Sequence, residues 1–170
     1  MPVRYVAAIL LAAALGGCAA TDWHVVPGGK DAPTLTGYKV ERGLFDWEHY
    51  SVEAIDDKRV RQGLVYGGAV VPADRTYALA PGTHKVLVRG FFNRAWRGGG
   101  PYEASVVLAA DFAAGTAYQL RGEIAGDLVR IWVAKASTGE SMSAAAAEPY
   151  RVYVAEPGLG FFYIGPMFRW

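Results

Sequence analysis

From Thr83 to Arg89 the side chains alternate in type: His84, Val86 and Val88 fall on one side of an extended chain, and Lys85, Leu87 and Arg89 on the other. A period of two belongs to a β-strand, whose successive side chains point to opposite faces; wound into a helix, the same residues would scatter the valines around the axis. The valine face is therefore expected inward. The pattern returns where Tyr118 and Leu120 oppose Gln119 and Arg121, and where Val129, Ile131 and Val133 oppose Arg130 and Trp132.

Runs rich in Val, Ile, Tyr and Phe predict strands near 38–42, 49–56, 64–71, 75–79, 83–92, 103–112, 116–124, 129–135 and 151–155. Turn residues divide them: Pro81-Gly82, Ala114-Gly115-Thr116, Gly126-Asp127 and Thr138-Gly139 each suit a tight reversal, so neighbouring strands should pair as hairpins. The expected fold is all-β, a single antiparallel β-sandwich of about seven to nine short strands, with two sheets stacked about 10 Å apart. Ser143, ahead of four alanines, predicts one short helical turn, stopped by Pro149.

Hydrophobic residues make up 52% of the 170-residue chain and charged ones 19%, a balance that supports a packed core rather than disorder. The formal net charge of +1 offers little electrostatic attraction to nucleic acid, and no such partner is expected. A single cysteine excludes an intramolecular disulfide, so packing must supply the stability.

That cysteine has a distinctive place. Arg4 gives a positive start, Val6 to Leu15 is apolar, and Gly16 and Gly17 lead into Cys18. Polar Thr21, Asp22 and His24 follow too soon for the stretch to reach the roughly 20 residues of a spanning helix, so residues 1–17 read as an export signal. The quartet Leu15-Gly16-Gly17-Cys18 resembles the lipobox of bacterial lipoproteins. What the resemblance implies is lipid attachment at Cys18, cleavage after Gly17, and a partner in the membrane itself. Ala19, where Asp would favour inner-membrane retention, implies an outer-membrane lipoprotein of the cell envelope. Loss of residues 1–17 removes Arg4 and no acid, leaving sixteen basic against sixteen acidic residues and weak charge steering.

The expected organisation is then a signal peptide over 1–17, a lipidated tether over 18–35, a β-sandwich domain over 36–157 and an aromatic tail over 158–170 that docks on the domain. Pro27, Gly28, Gly29 and Pro33 give the tether its irregular character. Phe161, Phe162, Tyr163, Phe168 and Trp170, with Arg169 as the only charge, make the tail a hazard if left in water. The series Ile55-Asp56-Asp57-Lys58, Leu79-Ala80-Pro81-Gly82-Thr83-His84-Lys85-Val86 and Ala114-Gly115-Thr116 resembles small uncharacterised bacterial lipoproteins carrying a β-sandwich. More distantly it is similar to PEGA-type surface domains, through the Pro-Gly-x-His-x-Val hairpin. Asp57 stands where such families place Gly, and neither resemblance brings catalytic residues.

Chemistry-bearing motifs are sparse. The chain contains no Gly-x-Ser-x-Gly elbow, phosphate-cradling glycine loop or His-Glu-x-x-His pair, and no cofactor is expected. His24, His49 and His84 fall on the tether and two different strands, which argues against a shared metal. His49, Ser51 and Glu53 share one strand face, but alternate side chains on a strand stand about 7 Å apart, too far for a nucleophile–base hydrogen bond. A solvated polar face is the expected reading. Asp56-Asp57 is expected in a hairpin turn, and His84 to hold the backbone of the adjacent turn.

The connection from Phe92 to Tyr102 gathers Phe92, Arg94, Trp96, Arg97 and Tyr102, residue types that anchor binding surfaces, and is the expected contact loop. A non-catalytic binding or scaffolding module is the expected function, with an envelope protein or glycan as partner. Two alternatives stand beside it: an envelope hydrolase using His49, Ser51 or Glu53, and a carrier of an apolar ligand in a cavity lined by Val86, Val106, Tyr118 and Ile131.

Replacing Cys18 with Ser is expected to abolish lipidation, because the thioether requires the thiol. Labelled fatty acid appearing equally on wild type and Cys18→Ser would refute the lipobox reading.

Overall fold

The computed structural model describes residues 29–60, 74–94 and 100–154, and among these the regular structure is entirely β. Eleven strands run in chain order: β1 Thr34–Thr36, β2 Tyr38–Gly43, β3 Asp46–Ile55, β4 Lys58–Arg59, β5 Thr76–Ala78, β6 Gly82–Arg94, β7 Tyr102–Phe112, β8 Ala117–Ala125, β9 Leu128–Lys135, β10 Ala146–Pro149 and β11 Arg151–Val152. They form two sheets, a five-stranded one in the order β10-β9-β8-β1-β5 and a six-stranded one in the order β11-β7-β6-β3-β2, with β4 also paired to β3. Hairpins β6–β7 and β8–β9 supply long antiparallel registers, from Gly82↔Phe112 to Phe92↔Tyr102 and from Tyr118↔Lys135 to Ala125↔Leu128.

Alternation decides which faces meet. Val86, Val88 and Phe92 of β6, Val106, Leu108 and Phe112 of β7, Tyr118 and Leu120 of β8, and Val129, Ile131 and Val133 of β9 are buried in one core between the sheets. The positions proposed to line an apolar cavity, Val86, Val106, Tyr118 and Ile131, are all members of that core. Turn chemistry also follows expectation: Gly115 and Gly126 adopt positive φ of 67° and 64°.

Two expectations are corrected. The tether does not extend to residue 35, because β1 lies inside the five-stranded sheet, parallel to β8 and antiparallel to β5, with Leu35 fully buried. One period of Thr-Leu-Thr is too short to stand out beside Pro33, yet the sheet gains ladder bonds on both of its sides. The expected all-β sandwich is what the two sheets form, with β1 and β8 a parallel pair within it. The helical turn near Ser143 is also absent: Ala146–Pro149 pairs with β9 at its edge, where Pro149 is tolerated, and Ser143 Oγ accepts a hydrogen bond from Val133 N at 3.0 Å. The expected strand at 64–71 and the aromatic tail at 158–170 lie outside the described residues, as do Gly17 and Cys18.

At two points a single residue carries the chain from one sheet to the other, Gly37 from β1 to β2 and Tyr150 from β10 to β11. Inside, Tyr50 of β3 fills the space between the sheets. A Cβ on Gly122 of β8 would come within 2.3 Å of the Tyr50 ring, and one on Gly90, its partner on β6, within 3.5 Å. The Tyr50 hydroxyl donates to Glu48 Oε2 at 2.7 Å, and Arg42 Nη1 donates to Glu48 Oε1 at 2.6 Å. Glu48, only 7% exposed, faces the core and is held by both groups.

Gly122→Ala is expected to destabilise the domain by about 3 kcal/mol, the upper end of overpacking penalties, because backbone opposes the ring. Adding Tyr50→Leu should recover part of that loss, since the clash has gone. Denaturant unfolding of the two variants checks both, and a Gly122→Ala protein as stable as wild type would disprove the packing argument.

Candidate functional site

The sandwich has two distinct ends. At one, the chain enters beside the β7–β8 turn, with Gly115 N donating to Asp31 O at 2.7 Å and Thr34 N to Thr116 O at 3.1 Å. At the other lie the β2–β3 turn at Leu44 and Phe45, the β8–β9 turn at Gly126, and the ends of β6 and β7. Register fixes this arrangement, since Asp46 pairs with Arg94 and Arg94 Nη1 donates to Gly126 O at 3.3 Å. We refer to these as the near and far ends.

At the near end the sequence-predicted turn residues find structural work. Asp56 and Asp57 have φ of 50° and 64° and join Ile55 to Lys58 as a two-residue loop, the type I′ hairpin geometry. The carboxylate of Asp56 accepts from Lys85 N at 3.0 Å, and Asp57 receives Lys85 Nζ at 3.2 Å. His84 ties this hairpin to the turn before β6: its Nε2 donates to Ala80 O at 2.8 Å, and Nδ1 lies 2.6 Å from Asp56 Oδ2.

The expected contact loop divides. Phe92 is fully buried, stacked on Tyr102 with centroids 5.6 Å apart and edge-on to Tyr150 at 5.1 Å, so it serves the core and not an outer surface. Tyr102 also packs on Tyr150, at 5.1 Å, and the Arg94 guanidinium lies 5.8 Å from the same ring while donating to its hydroxyl. Three of the five residues thus close the far end around Tyr150, where the chain passes from β10 to β11. Trp96 and Arg97 lie outside the described residues.

The outer face of the six-stranded sheet differs from the solvated polar face expected of His49, Ser51 and Glu53. A row of rings crosses it: Tyr153 meets Phe91 edge-on at 5.2 Å, Phe91 meets Trp47 at 5.2 Å, and Trp47 meets His49 at 4.9 Å. Arg89 sits 5.3 Å from both the Phe91 and Tyr153 rings and donates to Glu103, which also accepts from Arg151 Nε at 3.0 Å. Arg89 and Glu103 have little exposure, so each charge depends on the other. Ser51 is buried, and the Glu53 carboxylate lies 3.9 Å from Arg89.

Neither ring nitrogen of His49 has a hydrogen-bond partner. No His49–Ser51 hydrogen bond therefore exists to activate the hydroxyl, and the hydrolase arrangement is not assembled on this strand. Burial pushes the His49 imidazole below its ordinary value; Glu41 opposes this, Lys39 adds to it and Asp74 opposes it. Burial also raises the Glu53 carboxyl, against the pull of Arg89. Among the described residues no group of three His, Cys, Asp or Glu side chains is placed to hold a metal ion, and no helix is long and apolar enough to cross a membrane.

The row of rings leads into an open cleft of about 650 Å³ lined by Glu41, Arg42, Gly43, Leu44, Trp47 and His49. Beside it the β2–β3 turn presents Leu44, 66% exposed, and Phe45, 42% exposed. Sequence reasoning missed this site, although two consecutive large apolar residues between Gly43 and Asp46, at a reversal, were a visible signal. No family model, curated protein or solved structure matches the chain.

Protonation of His49 is expected to cost stability. Its folded-state value lies below the unfolded one, so its contribution is fully present above about pH 6.5 and is lost as pH falls toward the folded value. Glu53, shifted upward, acts in the opposite sense: its contribution is present below its unfolded value of 4.5 and is lost as pH rises through the folded one. Wild type should lose more unfolding free energy between pH 7.5 and 5.5 than His49→Phe does. Equal losses in denaturant titrations would show that burial does not hold the imidazole neutral.

Proposed function

We propose that the protein is a lipid-anchored component of the bacterial cell envelope, fixed to the outer membrane through Cys18, that works as a non-catalytic binding or scaffolding module. The observation that carries this reading is the pairing of exposed Leu44 and Phe45 with the Trp47–His49 cleft at the end opposite the chain's arrival. Apolar side chains grouped beside a concave, mixed polar and apolar lining are the ordinary composition of a recognition surface.

The ends of the sandwich give the surface a direction. A tether from Cys18 joins the domain at the near end, and the eleven residues of β7 span about 36 Å at 3.3 Å per residue. The Leu44–Phe45 turn is then presented away from the anchoring bilayer, toward whatever faces it across the envelope. A near-neutral mature chain suits a partner recognised by shape and apolar contact rather than by charge. An envelope protein fits these requirements, and a glycan stacking on Trp47 is the other partner chemistry the cleft accommodates.

A photo-activated crosslinking residue at Leu44 in intact cells tests the proposal. The expected product is a discrete adduct of higher mass, absent when the same residue replaces Arg130 on the outer face of β9. Adducts forming at Arg130 and none at Leu44 would place the working surface on the other sheet and overturn the proposal.

A further inference from the structure

The row of rings on the six-stranded sheet begins where the described chain ends. After β11, Tyr153 N donates to Pro101 O at 2.9 Å, its ring joins Phe91, and Val154 follows at 77% exposure. From that edge the row runs across the outer face through Phe91 and Trp47 to His49 and opens into the cleft at Glu41 and Leu44. Trp47, Phe91 and Tyr153 are half-buried, and the apolar surface left exposed lies at the two ends of the row, at Val152 and Val154 and at Leu44 and Phe45; an apolar track with open ends of this kind favours cover.

We propose that this cover is the chain's own segment Gly158–Trp170, laid over the ring row with its last aromatic residues in the cleft. Length permits it. From β11 to β2 the six-stranded sheet crosses four strand spacings, about 19 Å at 4.8 Å each, and the sixteen residues after Val154 reach about 50 Å when extended. Composition matches the track, with five rings in thirteen residues. The charged residues lining the cleft, Glu41 and Arg42, cancel, so a segment whose one charged side chain is Arg169 meets no net repulsion there.

The segment occupies the same cleft that the binding proposal assigns to an outside partner, so a partner gains the cleft by displacing it. The inference stands without that proposal, because it concerns contacts within one chain. Cysteine pairs test it in the full chain carrying Cys18→Ser, which leaves the introduced thiols alone. Leu44→Cys is combined in turn with Gly160→Cys, Ile164→Cys and Phe168→Cys, and each pair is oxidised at low protein concentration. At least one pair should close into an intramolecular disulfide ten or more times faster than the same tail cysteine does with Arg130→Cys on the opposite sheet. Equal rates with Arg130→Cys, or no closure by any Leu44→Cys pair, overturns the proposal. Disulfide-linked dimers from the Leu44→Cys pairs do so too, by making a second copy the occupant. None of these outcomes depends on whether a photo-adduct to another molecule forms at Leu44.

Discussion

The contact between the Tyr50 ring and the bare backbone of Gly122 limits how closely the two sheets approach at that point. A tyrosine on an inner face must find both room for its ring and a partner for its hydroxyl. Gly122 on the opposite sheet and Gly90 beside it provide the room, and Glu48, two residues earlier on the same strand, provides the partner. The carboxylate brings a further obligation, since an acid facing the core must be compensated, and Arg42 meets it from the edge strand β2. Two glycines, a buried acid and an edge arginine follow from one ring. Burial together with the hydrogen bond to Glu48 pushes the Tyr50 hydroxyl far above its ordinary value, so it remains a donor throughout the physiological range.

That arrangement has consequences at the far end. Arg42, drawn inward to Glu48, also forms part of the cleft wall, so the group that compensates the core acid shapes the surface beside Leu44. Tyr150 acts similarly on the other side of the sandwich. It carries the chain from β10 to β11, packs on Phe92 and Tyr102, and donates to Gly126 O at 3.2 Å, joining the sheets through rings as well as through backbone. Residues that composition marked as contact anchors are thereby drawn into closing the sandwich, while the exposed apolar pair sits one turn away.

Legibility in the sequence follows the length of each alternating run. The period of two over Thr83–Arg89, Tyr118–Arg121 and Val129–Val133 identified β6, β8 and β9 and the inward face of each, because one face of each is predominantly apolar. Strand β1 offers a single period and β10 no large apolar side chain, so neither is distinguishable from a loop until the partner strands are known. The Asp56-Asp57 turn was readable from local chemistry alone, since short carboxylate residues tolerate positive φ. The outer face of β3 was not. Its His, Ser and Glu look solvated in sequence, while in the fold the lateral neighbours Arg89 and Phe91, with Tyr153 beyond them, shield them from water.

Those neighbours explain why the six-stranded sheet carries polar groups in an unusually dry setting. A solvated face would leave Arg89, Glu53 and Glu103 screened by water and worth little as ion pairs. Rings on both sides of Arg89 displace that water, so its guanidinium must satisfy two carboxylates while resting against Phe91 and Tyr153. Removal of either carboxylate would leave an under-compensated charge, and removal of the rings would readmit solvent and weaken the pairs. The aromatic row and the ion cluster are therefore mutually dependent, and the face they build is amphipathic along its whole width. His49, at the end of the row with both ring nitrogens unpartnered, carries the residual cost of that dryness at the edge of the cleft.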